Sequence, residues 1–216
     1  MLKMKSILFF LPALMLVHVL TAQTIAIASD KSILTSKQRT FAAEYLQETK
    51  QAFFNALEGL TEEQLKFKAK DEKWCILDCA EHIALAERTL AGVVQKQLLE
   101  PADSLKFKKL KMTEKKIISR LTFRLIKVKA PEVIKPTGQF KSIDDIKHAF
   151  MNQRDSTINY VLMTQAPLHY HYWKHPATGV IDLYQTLILM SAHTQRHILQ
   201  ILEVKKNAKF PRTANP

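Results

Sequence analysis

Two imidazoles, His193 and His197, stand four residues apart inside the apolar run Leu187–Leu202. On an α-helix that spacing puts both rings on one face about a turn apart, where they can grip a single ion. A third ligand must come from another helix, and His82, closing Trp74-Cys75-Ile76-Leu77-Asp78-Cys79-Ala80-Glu81-His82, is the best candidate. Three neutral imidazoles leave a divalent ion its full charge and an open position for water or a substrate heteroatom. Nitrogen donors of this kind suit zinc or nickel. The spacing alone is equally compatible with one buried, neutral ring and one facing solvent, and His82 taken singly reads as a hydrogen-bonded core residue. His171 and His175 repeat the spacing, but Pro176 follows, and a residue before proline avoids helical geometry. Thr194 fills the place where a helical zinc protease carries its glutamate, which disfavours that reaction.

The elements that must position these residues are helical. Only four glycines occur in 216 residues, and sheet proteins usually need more glycine-rich turns. Ser36 opens the first helix, with Phe41, Tyr45, Leu46, Phe53, Ala56 and Leu57 at helical spacing and Gly59 near its end. Thr61-Glu62-Glu63-Gln64 has the form of a capping box. A second long helix runs from Ile76 to about Leu99 and is stopped by Pro101, a third starts at Ser142, and a fourth spans Ile181–Lys205. Between the second and third, Thr113–Val128 reads as a short basic amphipathic helix. The length of that crossover lets the third helix run parallel to the second. Asn152–Thr157 reads as a polar middle of the third helix, and Leu168–Thr178 as an aromatic, histidine-rich loop whose rings, Tyr170 to Trp173, cap the bundle or, as the lesser alternative, line a pocket. These expectations describe an all-α chain, a four-helix bundle with a long crossover between its second and third helices and a short basic helix within it.

Lys3 and Lys5 followed by the apolar stretch Ile7–Leu20 form the pattern of an export signal, with cleavage expected near 22 or 28. An uncleaved anchor over Ile7–Ala28 is the alternative. The expected organisation is therefore a signal peptide over 1–28, one bundle domain over 29–207 and a frayed tail over 208–216. The product would be exported, periplasmic or secreted. The formal net charge is +12, which invites a nucleic-acid reading, but export argues against it. Ten basic residues lie between Lys106 and Lys129 against one acid, Glu114, so the charge is local. Such a run reads as a solvated helix face, with weak contact to an anionic membrane surface as the lesser alternative. Cys75 and Cys79 share a helical face at a spacing poor for a disulfide.

Taken together, Trp74-x7-His82, the run His175-Pro176-Ala177-Thr178-Gly179 and His193-x3-His197-Ile198-Leu199-Gln200-Ile201 resemble the DinB-like family of four-helix metalloproteins. The resemblance spans Ser36 to Lys205. It implies a divalent ion held by His82, His193 and His197, and a small-molecule substrate or ligand. Family members with known activity include thiol-dependent S-transferases and a thiol-using isomerase. A metal-dependent transferase or hydrolase is thus one expectation and a non-catalytic metal- or ligand-binding envelope module, with a homodimer conceivable in either case, is the other. Cys75 departs from the family pattern, which commonly has a small hydroxyl residue after the tryptophan. A sulfur there implies a weaker helix cap and raises thiol chemistry near the site. Asp78 and Gln200 are candidate outer partners of the ligands.

Overall fold

Helix α1, Ser36–Leu57, begins where the Thr35 side chain accepts from the Gln38 N–H and the Gln38 side chain returns the bond to the Thr35 N–H. A computed structural model describes residues 31–71, 73–125 and 129–212. The described residues from Ser32 onward belong to one compact unit. The expected export signal over 1–28 lies outside the described residues. Among the described residues no helix is long and apolar enough to cross a membrane.

After α2, Glu62–Lys66, whose capping box is made by Thr61 and Gln64, the second long helix is α3, Ile76–Gln97. The crossover carries a single turn, α4 (Ser104–Phe107), the basic helix α5 (Glu114–Thr122) and a 3-10 turn at Glu132–Ile134. Helix α5 is shorter than the periodicity of 113–128 predicts; it ends at Thr122, and 126–128 lie outside the described residues. Its apolar face buries Ile117 and Leu121 against α7, and Lys115, Lys116 and Arg120 stay exposed. Helix α6 is Ile143–Met163, capped by the Ser142 hydroxyl.

The segment expected as a loop before the last helix is instead a 3-10 turn, Leu168–Tyr170, followed by a two-stranded antiparallel hairpin of β1 (Tyr172–His175) and β2 (Gly179–Asp182). Gly179 makes it possible with a φ of +77°, a conformation that costs a residue with a Cβ. The last helix, α7, therefore starts at Leu183, two residues later than expected, where Asp182 forms a capping box with Gln185. The aromatic residues here act as structural caps. Tyr172 donates to the carbonyls of Asp103 and His169, and the Trp173 indole N–H donates to Thr186. The tail, expected to fray, stays docked as far as Pro211: Gln64 donates to the Pro211 carbonyl at 2.9 Å and the Phe210 ring meets Phe67 edge-on.

Helix directions follow from the side-chain bonds. Arg39 at the start of α1 donates to the carbonyls of Val161 and Thr164 at the end of α6, and Lys50 further along α1 meets Asp155, so these two helices are antiparallel. Tyr45 pairs with Gln195 and the Ala56 carbonyl with Lys205, so α1 and α7 advance together. Each of α1 and α3 packs against both α6 and α7. The first two long helices are thus diagonal across the bundle.

The core falls into two apolar halves. One holds Leu46, Leu90, Val161 and Leu187; the other holds Phe53, Ile83, Phe150, Ile198 and Ile201. Between them lies a polar layer centred on Arg154, which is 0% exposed. Of the polar middle read at Asn152–Thr157, this arginine is the part that the fold turns fully inward. Its Nε and one terminal nitrogen donate to the two Glu87 oxygens at 2.6 and 2.8 Å. The remaining donors reach the Leu46 carbonyl, the Thr49 hydroxyl and the Thr194 hydroxyl. All four long helices meet at this one guanidinium, and its five N–H donors are all used.

Cys75 caps α3 with its sulfur, which accepts from the Asp78 N–H at 3.4 Å, while Asp78 accepts from the Cys75 N–H. A sulfur is a weak acceptor. Cys75→Ser is expected to keep or raise stability, and Cys75→Ala to lower it by about 0.5–2 kcal/mol, the usual cost of losing a cap. Urea midpoints of the three proteins check this, and an alanine variant as stable as the parent would remove the cap's role.

Candidate metal centre

The periodicity of α3 and α7 turns His82 and the His193–His197 face toward each other just on the Ile83 and Ile198 side of the polar layer. The structure brings all three rings together: one ligand-capable nitrogen from each lies within 4.8 Å of the others. Ring centroids are 5.0 Å apart for His82 and His193, 4.4 Å for His82 and His197, and 4.6 Å for His193 and His197. Trp74 closes one side, with its ring centroid 4.8 Å from His82 and 6.0 Å from His197.

Hydrogen bonds fix which nitrogens are free to ligate. The Nδ1 of His82 is 2.6 Å from the Ile134 carbonyl. A carbonyl can only accept, so Nδ1 carries the proton and Nε2 presents its lone pair. The Nδ1 of His197 is 3.0 Å from the Gln200 Oε1, which also accepts from Arg124 at 3.3 Å. An arginine can only donate, which identifies that atom as the amide oxygen; Nδ1 of His197 therefore carries the proton, and Nε2 is again the bare nitrogen. Arg124 is itself held by a two-pronged pair with Glu203 at 2.7 Å.

The Nε2 atoms of His82 and His193 are 3.2 Å apart. Two nitrogens bound at zinc distances to one tetrahedral ion would be about 3.3 Å apart. The donor set and its spacing therefore fit a divalent ion.

Burial keeps the rings neutral. It pushes His82 down to about 4, from an ordinary imidazole value of 6.5. Burial first, and then the neighbouring imidazoles, hold His193 well below its ordinary value; His197 is lowered well below by burial and then by His82. His175, at the end of β1, is likewise pushed down to about 4 by burial, and its Nδ1 accepts from the Ala177 N–H. His171 is turned to the Gln97 carbonyl, so the two histidines of the Pro176 segment share no helical face.

Several sequence expectations are refined. Gln200 does bond His197, whereas Asp78 is taken up by the α3 cap and lies 3.6 Å from Lys68. Both cysteines are free and buried, and burial pushes both thiols up, which opposes a thiolate from this chain. Glu81 escaped sequence reasoning. Only 3% exposed, its carboxylate accepts from the N–H groups of Thr137, Gly138 and Gln139 at 3.0–3.1 Å. The signal was its position directly before His82. A cleft of about 540 Å³ lined by Lys37, Phe41, Ile118 and Tyr184, among others, shares no residue with the histidine cluster.

A bundle with three inward imidazoles from two helices, closed by a crossover, defines a class of protein. Residues 45–201 match the family model described as the DinB superfamily, and the chain belongs to that superfamily. It is 25% identical over 153 residues to the uncharacterized protein YuaE of Bacillus subtilis (strain 168), covering 71% of this chain and 90% of that protein. Its fold is similar to that of YfiT from Bacillus subtilis, described as a probable metal-dependent hydrolase with an unusual four-helix bundle topology. The TM-score is 0.54 at 17% identity, over 80% of this chain and 89% of that one.

Proposed function

We propose that this protein is an exported metal-dependent enzyme acting on a small molecule, with hydrolysis as the reaction and His82, His193 and His197 as the ligands of a zinc or nickel ion. The observation that carries the reading is the convergence of one ring nitrogen from each of His82, His193 and His197 within 4.8 Å of one another, with the Nε2 atoms of His82 and His193 3.2 Å apart. Without an ion a neutral His193 can donate its Nε2 proton to the His82 lone pair across that gap; a divalent ion would take the place of that proton, and burial opposes the charged imidazoliums that would exclude it. A divalent ion held there would polarise a substrate oxygen and bring a bound water or thiol toward ionisation near neutral pH. The chain's residues do the rest. Ile134 and Gln200 orient the rings, and Trp74 covers them.

Hydrolysis is preferred over thiol transfer because Cys75 and Cys79 are both buried and protonated. A thiol would have to arrive as a second substrate, and water need not. Export is supported by the pattern of residues 1–28.

The purified protein is expected to hold one equivalent of metal, and His193→Ala to lose it with its helical content intact. The loaded enzyme is then assayed on ester, amide and phosphoester panels and on thiol-plus-electrophile panels. Turnover in the first that disappears in His193→Ala supports the proposal, whereas turnover only in the second reassigns the reaction to transfer. Full metal loading with no turnover in either panel favours a non-catalytic metal-binding module.

A further inference from the structure

The histidine cluster is closed by a piece of the crossover that is fastened to α3 at two adjacent residues. Ile134, ending the 3-10 turn, accepts from His82 at 2.6 Å. From three residues on, the chain wraps the carboxylate of Glu81 with three consecutive backbone N–H groups, those of Thr137, Gly138 and Gln139. Gly138 sits there at a φ of +74°. Successive N–H groups turned to one point by such a residue form a concave anion cradle. In other proteins these cradles take a ligand's phosphate or carboxylate; this one takes a carboxylate of the chain itself.

The two attachments are mechanically one. Ile134 and Thr137 are only three residues apart, so displacing one attachment strains the other. Were the strap to lift, three N–H groups and a buried carboxylate would lose their partners together. His82 would also lose the acceptor that keeps its proton on Nδ1, and an imidazole without that bond divides its proton between both nitrogens.

We infer that Glu81 is a positioning residue for the metal centre: by holding strap 132–139 against α3 it fixes His82 in the tautomer that presents Nε2 to the ion. The inference rests on the proposed metal site but makes claims that can be read without it. Strap closure and metal affinity are then two readings of one equilibrium, and loading the ion should also protect the strap.

The test uses the full chain and two variants. Glu81→Ala removes the carboxylate. Gly138→Ala opens the cradle from the strap side without touching α3: a Cβ there meets nothing within 4 Å but must adopt the disfavoured positive φ. Three readouts are taken at pH 7.5: hydrogen exchange at the amides of 137–139, the ¹⁵N shifts of the His82 ring, and zinc affinity by chelator competition. In the parent, the strap amides should be protected and His82 should be the Nδ1–H tautomer before any metal is added. Glu81→Ala should exchange those amides at least tenfold faster, mix the His82 tautomers and weaken zinc binding about 10- to 100-fold, the usual effect of losing an outer partner. Gly138→Ala should move all three in the same direction, and it decides the question if Glu81→Ala does not fold. Freed strap amides with an unchanged His82 tautomer and zinc affinity within twofold would overturn the inference. A parent that binds neither zinc nor nickel would sink the proposed function, and the exchange and tautomer readouts would still decide the role of Glu81.

Discussion

Arg154→Ala should lower the free energy of unfolding by about 3–5 kcal/mol, which would make it among the most damaging single substitutions in the chain. The guanidinium is 0% exposed and all of its donors are satisfied. Removing it strands the Glu87 carboxylate, also buried at 2% exposure, and leaves a cavity between the two apolar halves of the core. The pair itself contributes little net stability, because desolvating two charges costs nearly as much as their attraction returns. The double variant Arg154→Met with Glu87→Leu should therefore recover most of the loss. Urea unfolding of the parent, the single and the double variant checks both statements. A single-variant loss below about 1 kcal/mol would mean that Glu87 finds water or another partner.

The affinity of the folded protein for its ion should be nearly independent of pH between 7 and 5.5, changing less than about threefold. Ordinary imidazoles with a pKa of about 6.5 would each lose roughly tenfold over that range, about a thousandfold for three. Here burial has moved His82 to about 4 and the other two well below 6.5, so protons hardly compete for the folded site. The cost appears in folding. Between 6.5 and the depressed values the unfolded chain binds protons that the folded chain refuses, so stability falls as pH falls through that window. The slope is up to about 1.4 kcal/mol per pH unit for each histidine concerned. Acid should thus release the ion by unfolding the protein before it protonates the ligands. Metal affinity and urea stability measured in parallel at pH 7, 6.25 and 5.5 test this. A steep affinity loss with flat stability would show that the rings are solvated.

The four long helices and the facing histidines were legible because their signals are periodic or repeated. Apolar residues recur at helical spacing in α1, α3, α6 and α7, and the spacing of His193 and His197 survives only on a helix. Four-residue strands such as Tyr172–His175 carry too few residues for a period, and what defines the hairpin is the positive φ of Gly179 and the register of its partners. Arg154 was hidden for a different reason. A lone arginine among Asn152, Gln153 and Asp155 resembles any solvated helix face, and its burial depends on Glu87, Thr49 and Thr194, which lie 40 to 105 residues away. Glu81 was hidden likewise, since its three partners are backbone groups, which carry no residue type to recognise.

The diagonal placement of α1 and α3 bears on how the molecule comes into being. Both side neighbours of α1 are supplied by the second half of the chain, and the guanidinium that completes the contacts of Thr49 and Glu87 arrives only with α6. The first two long helices therefore find their common partners only in α6 and α7. The three imidazoles, two of them on α7, come together only once the last helix has packed against α3.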